Sequence, residues 1–223
     1  MAAAGMRATA EASGVERCLD LIREMVLSGE LLPGQKVHQG ELAEQLNVSR
    51  IPVREALATL QAEGILVHKP NTGFTVARFS SEDLSEIYLM RRLLETEVIR
   101  SVDLSLVDVD AMSALSERMR AMSDAESRDE YQQVNLAFHF ALFDCSPLEL
   151  LRQEIARLWY MSGFYRSLRL YETETFAHLQ DDHERIIEAV RSGNVEQLIE
   201  LCDRHRSGTE RLVVQRLGRS RAR

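Results

Sequence analysis

The chain has 223 residues and a formal net charge of −8, from 27 Lys and Arg residues against 35 Asp and Glu residues. This length suits one large domain or two modest ones. The acidic balance argues against a protein that binds nucleic acid through a broad basic surface. No apolar run approaches the ~20 residues of a membrane span, and the N-terminus has no signal-peptide core. The three cysteines form no Cys-x-x-Cys pair. We therefore expect a reduced, cytoplasmic protein.

The first elements predicted along the chain are an arm and two helices. Residues 1–13 are rich in Ala and show no convincing cap, so we expect a flexible arm there. The apolar spacing predicts a helix over residues 14–28, and Leu32-Pro33-Gly34 predicts a turn. A second, short helix follows, with three apolar residues on one face: Leu42, Ala43 and Leu46.

A third helix is predicted after the break at Asn47-Val48. Ser49 is expected to cap this helix through its hydroxyl, and Pro52 falls in its first turn, where the missing N–H costs little. Arg50 and Arg54 lie near its N-terminal end, where a major-groove reader places side chains that meet bases and phosphates. The other face is an apolar stripe expected to be buried: Val53, Ala56, Leu57 and Leu60.

A β-hairpin is predicted next. The pattern alternates along residues 65–68 and again along residues 74–77, with the turn Asn71-Thr72-Gly73 between them. Two helices joined by a tight turn and followed by a hairpin have the outline of a winged helix-turn-helix, which we assign to residues 14–78.

The rest of the chain shows helical periodicity and no strand pattern. Ser80-x-x-Asp83 has the spacing of a capping box, which predicts a long helix and a domain boundary near residue 79. The fold class predicted is mostly α, an N-terminal winged helix-turn-helix followed by an all-helical antiparallel bundle over residues 79–218 and a tail over 219–223. Bundle helices are predicted at 82–101, 106–123, 128–144, 147–170, 174–192 and 194–217.

Four polar residues of the bundle are placed for metal binding if their helices converge. Asn135 and His139 are four residues apart and so share one helix face, while His183 and His205 lie on two later helices. Three imidazoles and an amide oxygen suit a divalent transition metal, although a lone His on an apolar face is usually a hydrogen-bonded core residue. His178 and Asp182 are also four apart, and we interpret them as a solvated pair.

The N-terminal motifs resemble the DNA-binding domain of GntR-superfamily transcriptional regulators. The resemblance rests on S-R-I-P-V-R-E-A-L-x-x-L-x-x-E-G-I-L, preceded by L-x-P-G and followed by P-N-T-G. It implies binding of operator DNA. Residues 1–78 carry eight basic and nine acidic residues, so binding must depend on locally placed groups and weaken at high salt. The DNA-binding residues predicted are Ser49, Arg50, Arg54, His68, Lys69, Asn71 and Gly73.

The bundle resembles the FCD effector domain of the FadR subfamily, through N-L-A-F-H, D-H-E-R-I-I-E-A-V-R-S-G-N and C-D-R-H. In that family an Asp-x-x-x-His pair and two later histidines commonly bind a metal, and small carboxylates bind beside it. The matching positions are Asn135, His139, His183 and His205. The implied cofactor is zinc, with nickel, manganese or iron as alternatives. Asn135 departs from the family pattern, because a neutral amide oxygen is a poorer ligand than a carboxylate.

The resemblance also assigns a role to Arg91, which matches the family's cavity-facing Arg. Arg91 is either the partner of an effector anion or one half of a buried ion pair with Glu95. The function it implies is a ligand-responsive, homodimeric regulator with a small organic acid as effector. Two other classes stay open: a DNA-binding dimer without an effector, and a metal-dependent hydrolase using zinc-bound hydroxide. No motif supplies a general base for the hydrolase.

Overall fold

The computed structural model describes the backbone of residues 13–122, 128–167 and 173–221, and within these ranges the side chains except those of 128–129, 167, 173–180, 216 and 218–221. The predicted arm lies outside the described residues apart from Ser13, as do the last two residues of the predicted tail. Ser13 corrects one prediction. Its hydroxyl accepts a hydrogen bond from the Glu16 N–H at 3.1 Å while the Glu16 carboxylate accepts one from the Ser13 N–H at 2.6 Å. A capping box therefore begins the first helix.

The N-terminal part forms the predicted winged helix-turn-helix. Its helices are α1 (Gly14–Ser28), α2 (Gln39–Gln45) and α3 (Arg50–Ala62). The wing is an antiparallel pair of β1 (Leu66–Lys69) and β2 (Gly73–Val76), in which His68 pairs with Phe74. Each strand lies one position away from its predicted range. The apolar stripe of α3 is buried as predicted, with Val53, Ala56, Leu57 and Leu60 fully inaccessible to solvent.

The remaining described residues form helices. These are α4 (Ser81–Ser101), a 3-10 turn (Leu104–Leu106), α5 (Val109–Ala121), α6 (Arg128–Phe143), α7 (Glu149–Met161), α8 (Gly163–Ser167), α9 (Thr173–Arg191) and α10 (Val195–Arg221). Ser80 caps α4 by the predicted capping box with Asp83. The fold class is thus confirmed. α10 runs to Arg221, beyond its predicted end at residue 217. No described helix is both long and apolar enough to cross a membrane.

One predicted bundle helix is two helices. The range 147–170 was predicted as continuous, but α7 ends at Met161 and α8 begins at Gly163. The intervening Ser162 is fully buried, and its hydroxyl donates to the Leu158 carbonyl oxygen at 2.8 Å. The prediction failed because the apolar spacing continues through this break. Within α8, Gly163 lies against Leu27 of α1, whereas Arg166 lines a cavity in the bundle.

Candidate functional site

The exposed end of α3 presents the predicted DNA-binding groups. Arg50 and Arg54 are exposed and lie off the buried stripe. Ser49 occupies the N-cap position, but its side chain makes no capping hydrogen bond, which corrects that prediction. Ile51, which sequence reasoning missed, is 69 % exposed. An apolar side chain at this end of a recognition helix can contact a thymine methyl group.

The wing extends this surface. Arg54 of α3 and His68 of β1 line the same groove, and the His68 ring lies 4.8 Å from that of Phe74. Lys69 and Asn71 are exposed at the tip. Asn71 and Gly73 both have left-handed backbone angles, with φ of 64° and 87°. These angles let the chain reverse tightly between the strands.

In the bundle, the three predicted histidines converge. Their ligand nitrogen atoms all lie within 4.8 Å of one another, and the ring centroids are 4.9–5.6 Å apart. His139, His183 and His205 are 5 %, 0 % and 8 % exposed and come from α6, α9 and α10. Burial, and then the neighbouring His205 and His183, lower the pKa of His139 well below 6.5. A neutral imidazole is the form that binds a metal.

Asn135 and Asp182 complete the surroundings of the histidines. Asn135 is buried and lines the same cavity as His139 and His205. Asp182 contacts His205, with Oδ2 3.2 Å from Nδ1, rather than standing apart as a solvated residue. The side chain of His178, its predicted partner, lies outside the described residues. A carboxylate on Nδ1 fixes the imidazole so that Nε2 is the available ligand atom.

A buried ion network borders the histidines. The Arg91 Nε donates to Glu95 at 2.9 Å, the Arg206 Nη1 donates to it at 2.6 Å, and the Trp159 indole N–H donates to it at 2.8 Å. Burial alone would raise the pKa of the Glu95 carboxyl, but Arg91 and Arg206 hold it below its usual value. The ion pair considered for Arg91 is therefore present, while Arg91 also lines the cavity.

The cavity between these groups is small and positively charged. Its volume is about 40 Å³, room for about three water molecules. Three buried arginines line it (Arg91, Arg166 and Arg206), against Glu95 as the one lining carboxylate among the described residues. Sequence reasoning missed Arg166 and Arg206, since no motif or helical spacing distinguishes them from the chain's many surface arginines.

Comparison with known proteins assigns both parts of the chain. The family described as "Bacterial regulatory proteins, gntR family" matches residues 15–76, and the FCD domain matches residues 86–208. The chain is 30 % identical over 201 residues to the HTH-type transcriptional regulator LutR of Bacillus subtilis, covering 76 % of this chain and 87 % of LutR. It is 29 % identical to the gluconate operon transcriptional repressor of the same organism, covering 77 % of this chain and 73 % of that protein.

A solved structure has the same fold. Escherichia coli McbR/YncC superposes with a TM-score of 0.77 at 23 % identity, covering 92 % of this chain and 99 % of that chain. The chain therefore belongs to the GntR family of bacterial transcriptional regulators and carries an FCD domain behind its DNA-binding domain. It is a regulator rather than an enzyme, so the hypothesis of a metal-dependent hydrolase is rejected.

Proposed function

We propose that this regulator binds operator DNA as a cytoplasmic homodimer of the FadR subfamily, and that its bundle holds a divalent transition metal and a small carboxylate effector. The observation that carries the proposal is the buried convergence of His139, His183 and His205. The bundle is acidic and would be repelled by DNA, whereas the DNA-binding domain is nearly neutral. This difference favours contact with DNA through the N-terminal domain alone.

The donor set fits a metal. The Nε2 atom of His139 is buried and forms no hydrogen bond with the described residues, an arrangement costly without a partner. Three imidazoles with one oxygen donor suit zinc, and nickel, manganese and iron accept the same ligands. Asn135 would supply the oxygen. The metal would provide a Lewis-acidic binding point for an acid, while the chain's own residues position that acid.

The effector class follows from the charge of the cavity. The Arg91 Nη1 atom is buried and makes no hydrogen bond with the described residues, although its Nε is bonded to Glu95. A buried guanidinium N–H without an acceptor is satisfied by an anionic ligand, most strongly by a carboxylate. The small cavity favours a short organic acid over a long acyl chain.

DNA binding would proceed through α3 and the wing. Arg50 and Arg54 are exposed at the start of α3 and are free to meet base edges and phosphates. We assign phosphate and minor-groove contacts to the wing and to the helix N-terminus, through Ser49, His68, Lys69, Asn71 and Gly73. Two such readers, set about one duplex turn apart, would bind a palindromic operator.

An apolar stripe on α4 supports the dimer. Leu89, Met90 and Leu93 are 46 %, 39 % and 57 % exposed and lie on one face of the helix. Contiguous exposed apolar side chains on a helix commonly mark a protein interface, and a two-fold contact buries the same face of both chains. In a dimer, a ligand bound in either cavity could change the relative position of the two DNA-binding domains.

The test is the metal content of dialysed protein prepared without a histidine tag. We expect about one transition metal per chain, a content that falls to background in His183→Ala because one of three nitrogen ligands is lost. His38→Ala, at an exposed His outside the bundle, is the matched control and should keep the metal. Operator binding by both variants, measured by fluorescence anisotropy, should match the wild type in the absence of effector. Metal-free wild-type protein that also takes up no added zinc would contradict the proposed site.

A second candidate function is a DNA-binding dimer whose bundle has no effector. The observation that favours it is Asn135, because its amide oxygen is a weaker metal ligand than a carboxylate. Asn135→Asp distinguishes the two functions. If the wild type binds metal measurably and Asn135→Asp binds it more tightly, the metal-supported effector site is supported. If only Asn135→Asp binds metal, the dimer without an effector is supported.

A further inference from the structure

Arg166 differs from the other arginines of the cavity in its hydrogen bonding. It lies on α8 and is 6 % exposed. Its Nη1 atom donates to the Trp159 carbonyl oxygen at 2.7 Å and to the Ser162 hydroxyl at 2.9 Å. The guanidinium carbon also lies 4.4 Å from the centroid of the Trp159 ring. These contacts fix the guanidinium in one orientation.

The opposite edge of the Arg166 guanidinium has no hydrogen-bond partner among the described residues. Its Nε and Nη2 atoms are buried and form no hydrogen bond with the described residues. Arg91 and Arg206 both bind Glu95, whereas no described carboxylate forms an ion pair with Arg166. Burial, and then the positive charge of Arg91, lower the pKa of Arg166 to about 9. The group therefore remains cationic at neutral pH, with two parallel N–H donors unused.

We propose that the Nε–Nη2 edge of Arg166 binds a carboxylate of the effector side-on, and that the effector is a short dicarboxylate. The Nε–H and Nη2–H groups form a fork that matches the two oxygen atoms of a carboxylate. The second carboxylate binds beside the histidines, within reach of Arg91. This inference rests on the proposed function, since it takes the same cavity as the effector site, and that cavity of about 40 Å³ must widen to admit the acid beside a metal.

With a divalent metal bound, the charge around the cavity would favour two anionic groups over one, even when the Asp182 carboxylate beside His205 is counted. Glu95 is shared between Arg91 and Arg206, and Arg206 also binds Asp203 at 2.6 Å. Arg166 has no such carboxylate among the described residues, and a divalent metal on neutral histidines would add two further positive charges. A monocarboxylate would leave much of this charge buried and uncompensated, which is costly, whereas a dicarboxylate balances more of it.

The position of Arg166 on α8 connects the ligand to the DNA-binding domain. Gly163 lies against Leu27 of α1 so closely that a Cβ atom there would stand 2.5 Å from Leu27 Cδ2. The Tyr165 hydroxyl accepts a hydrogen bond at 2.9 Å from the backbone N–H of Phe79, in the segment between the domains. A carboxylate bound by Arg166 therefore acts on a five-residue helix that touches both α1 and the interdomain segment.

The experiment compares acids of matched length on zinc-loaded wild-type protein by isothermal titration calorimetry. The probes are malonate, succinate and glutarate, with propionate, butyrate and pentanoate as the corresponding monoacids. We expect at least one dicarboxylate to bind more tightly than its monoacid. Arg166→Gln should lower the affinity for that dicarboxylate about 10- to 100-fold, because a charged hydrogen-bonded pair is lost. Its affinity for the monoacid should stay within about threefold of the wild-type value.

Two further variants identify the cause of any loss. Arg166→Lys keeps the charge but lacks the fork, so it should bind the dicarboxylate more weakly than the wild type, and it replaces Arg166→Gln if that variant does not fold. Arg152→Gln, at a partly exposed arginine outside the cavity, should bind like the wild type. Zinc content is measured on every sample, so that a lost metal site is recognised separately.

Each outcome decides between the two proposals. Dicarboxylate affinity that is unchanged in Arg166→Gln and Arg166→Lys overturns the role of Arg166 and leaves the proposed function standing. Equal affinities for the diacids and monoacids overturn the dicarboxylate class. Wild-type protein that binds zinc but none of the six acids overturns this inference and the carboxylate effector together.

Discussion

Asp182 on α9 and His205 on α10 are joined by a contact of 3.2 Å between carboxylate Oδ2 and imidazole Nδ1. The two residues are 23 positions apart, and both side chains are largely buried, at 20 % and 9 % exposure. A carboxylate on one imidazole nitrogen holds the ring orientation and makes the other nitrogen a better ligand. Asp182 is therefore a positioning residue for the proposed metal site.

Replacing Asp182 by Asn should weaken the proposed metal site without removing a ligand. We expect zinc affinity, measured by competition with a chromophoric chelator, to fall about 10- to 100-fold. Asp181→Asn is the matched control, because Asp181 is the preceding residue and is exposed. Equal affinities in the two variants would show that the Asp182 carboxylate does not support His205.

The buried His139 should make the stability of the metal-free protein depend on pH. Its pKa in the folded protein is lowered well below 6.5, chiefly by burial and then by the other two histidines. The unfolded chain therefore binds more protons as the pH falls through about 6.5. The free energy of unfolding that neutral His139 contributes is present above this pH. It is lost as the pH falls toward the lowered pKa of His139 in the folded protein, by up to about 1.4 kcal/mol per pH unit.

The pH prediction is measured as the Tm of chelator-treated protein between pH 5 and 8, by differential scanning calorimetry. The wild type should lose stability more steeply below about pH 6.5 than His139→Gln, which has no imidazole to protonate. His38→Gln, at an exposed residue, should follow the wild-type curve. Parallel curves for wild type and His139→Gln would contradict the assignment of the loss to His139.

The sequence predicted those features that repeat with helical spacing or match a motif. The buried stripe of α3 follows from periodicity, and Asn135 and His139 share a helix face by their spacing. Convergence of the histidines was beyond local patterns, because it depends on how three helices pack. Arg166 was missed because its role depends on the break at Ser162, which apolar spacing does not show. The Ser13–Glu16 box has the S-x-x-E spacing of a capping box, but it directly follows an Ala-rich segment whose composition predicts an arm and not a helix start.

Arg54→Ala should weaken operator binding while leaving the fold intact. Arg54 is exposed and lines the groove between α3 and the wing, and a major-groove Arg contributes roughly 1–3 kcal/mol. The measurement is fluorescence anisotropy with labelled operator DNA at fixed salt, with circular dichroism to check the helices. Arg100→Ala is the control, since Arg100 is an exposed residue on α4 that pairs with Glu97. An Arg54→Ala affinity equal to that of the control would place the recognition surface elsewhere.

Gly163→Ala should disturb the junction between α8 and α1 while leaving the three histidines in place. The added Cβ would stand 2.5 Å from Leu27 Cδ2, and Leu27 is 3 % exposed, so either the buried Leu27 side chain must change its conformation or one of the two helices must move. Overpacking of this kind costs about 1–3 kcal/mol, which thermal unfolding should report. Operator affinity should also change, because α1 belongs to the DNA-binding domain, while zinc content stays at the wild-type level.

Gly208→Ala should stabilise the protein, in contrast to Gly163→Ala. Gly208 lies within α10, and a Cβ there would meet nothing within 4 Å, so the substitution should stabilise the protein by about 0.5–1 kcal/mol through helix propensity. The pair therefore separates a steric effect at the junction from a general effect of replacing Gly by Ala. If Gly163→Ala behaved like Gly208→Ala in both unfolding and operator binding, the α8–α1 contact would carry no coupling. A loss of operator affinity in Gly163→Ala alone would show that the α8–α1 contact affects the DNA-binding domain.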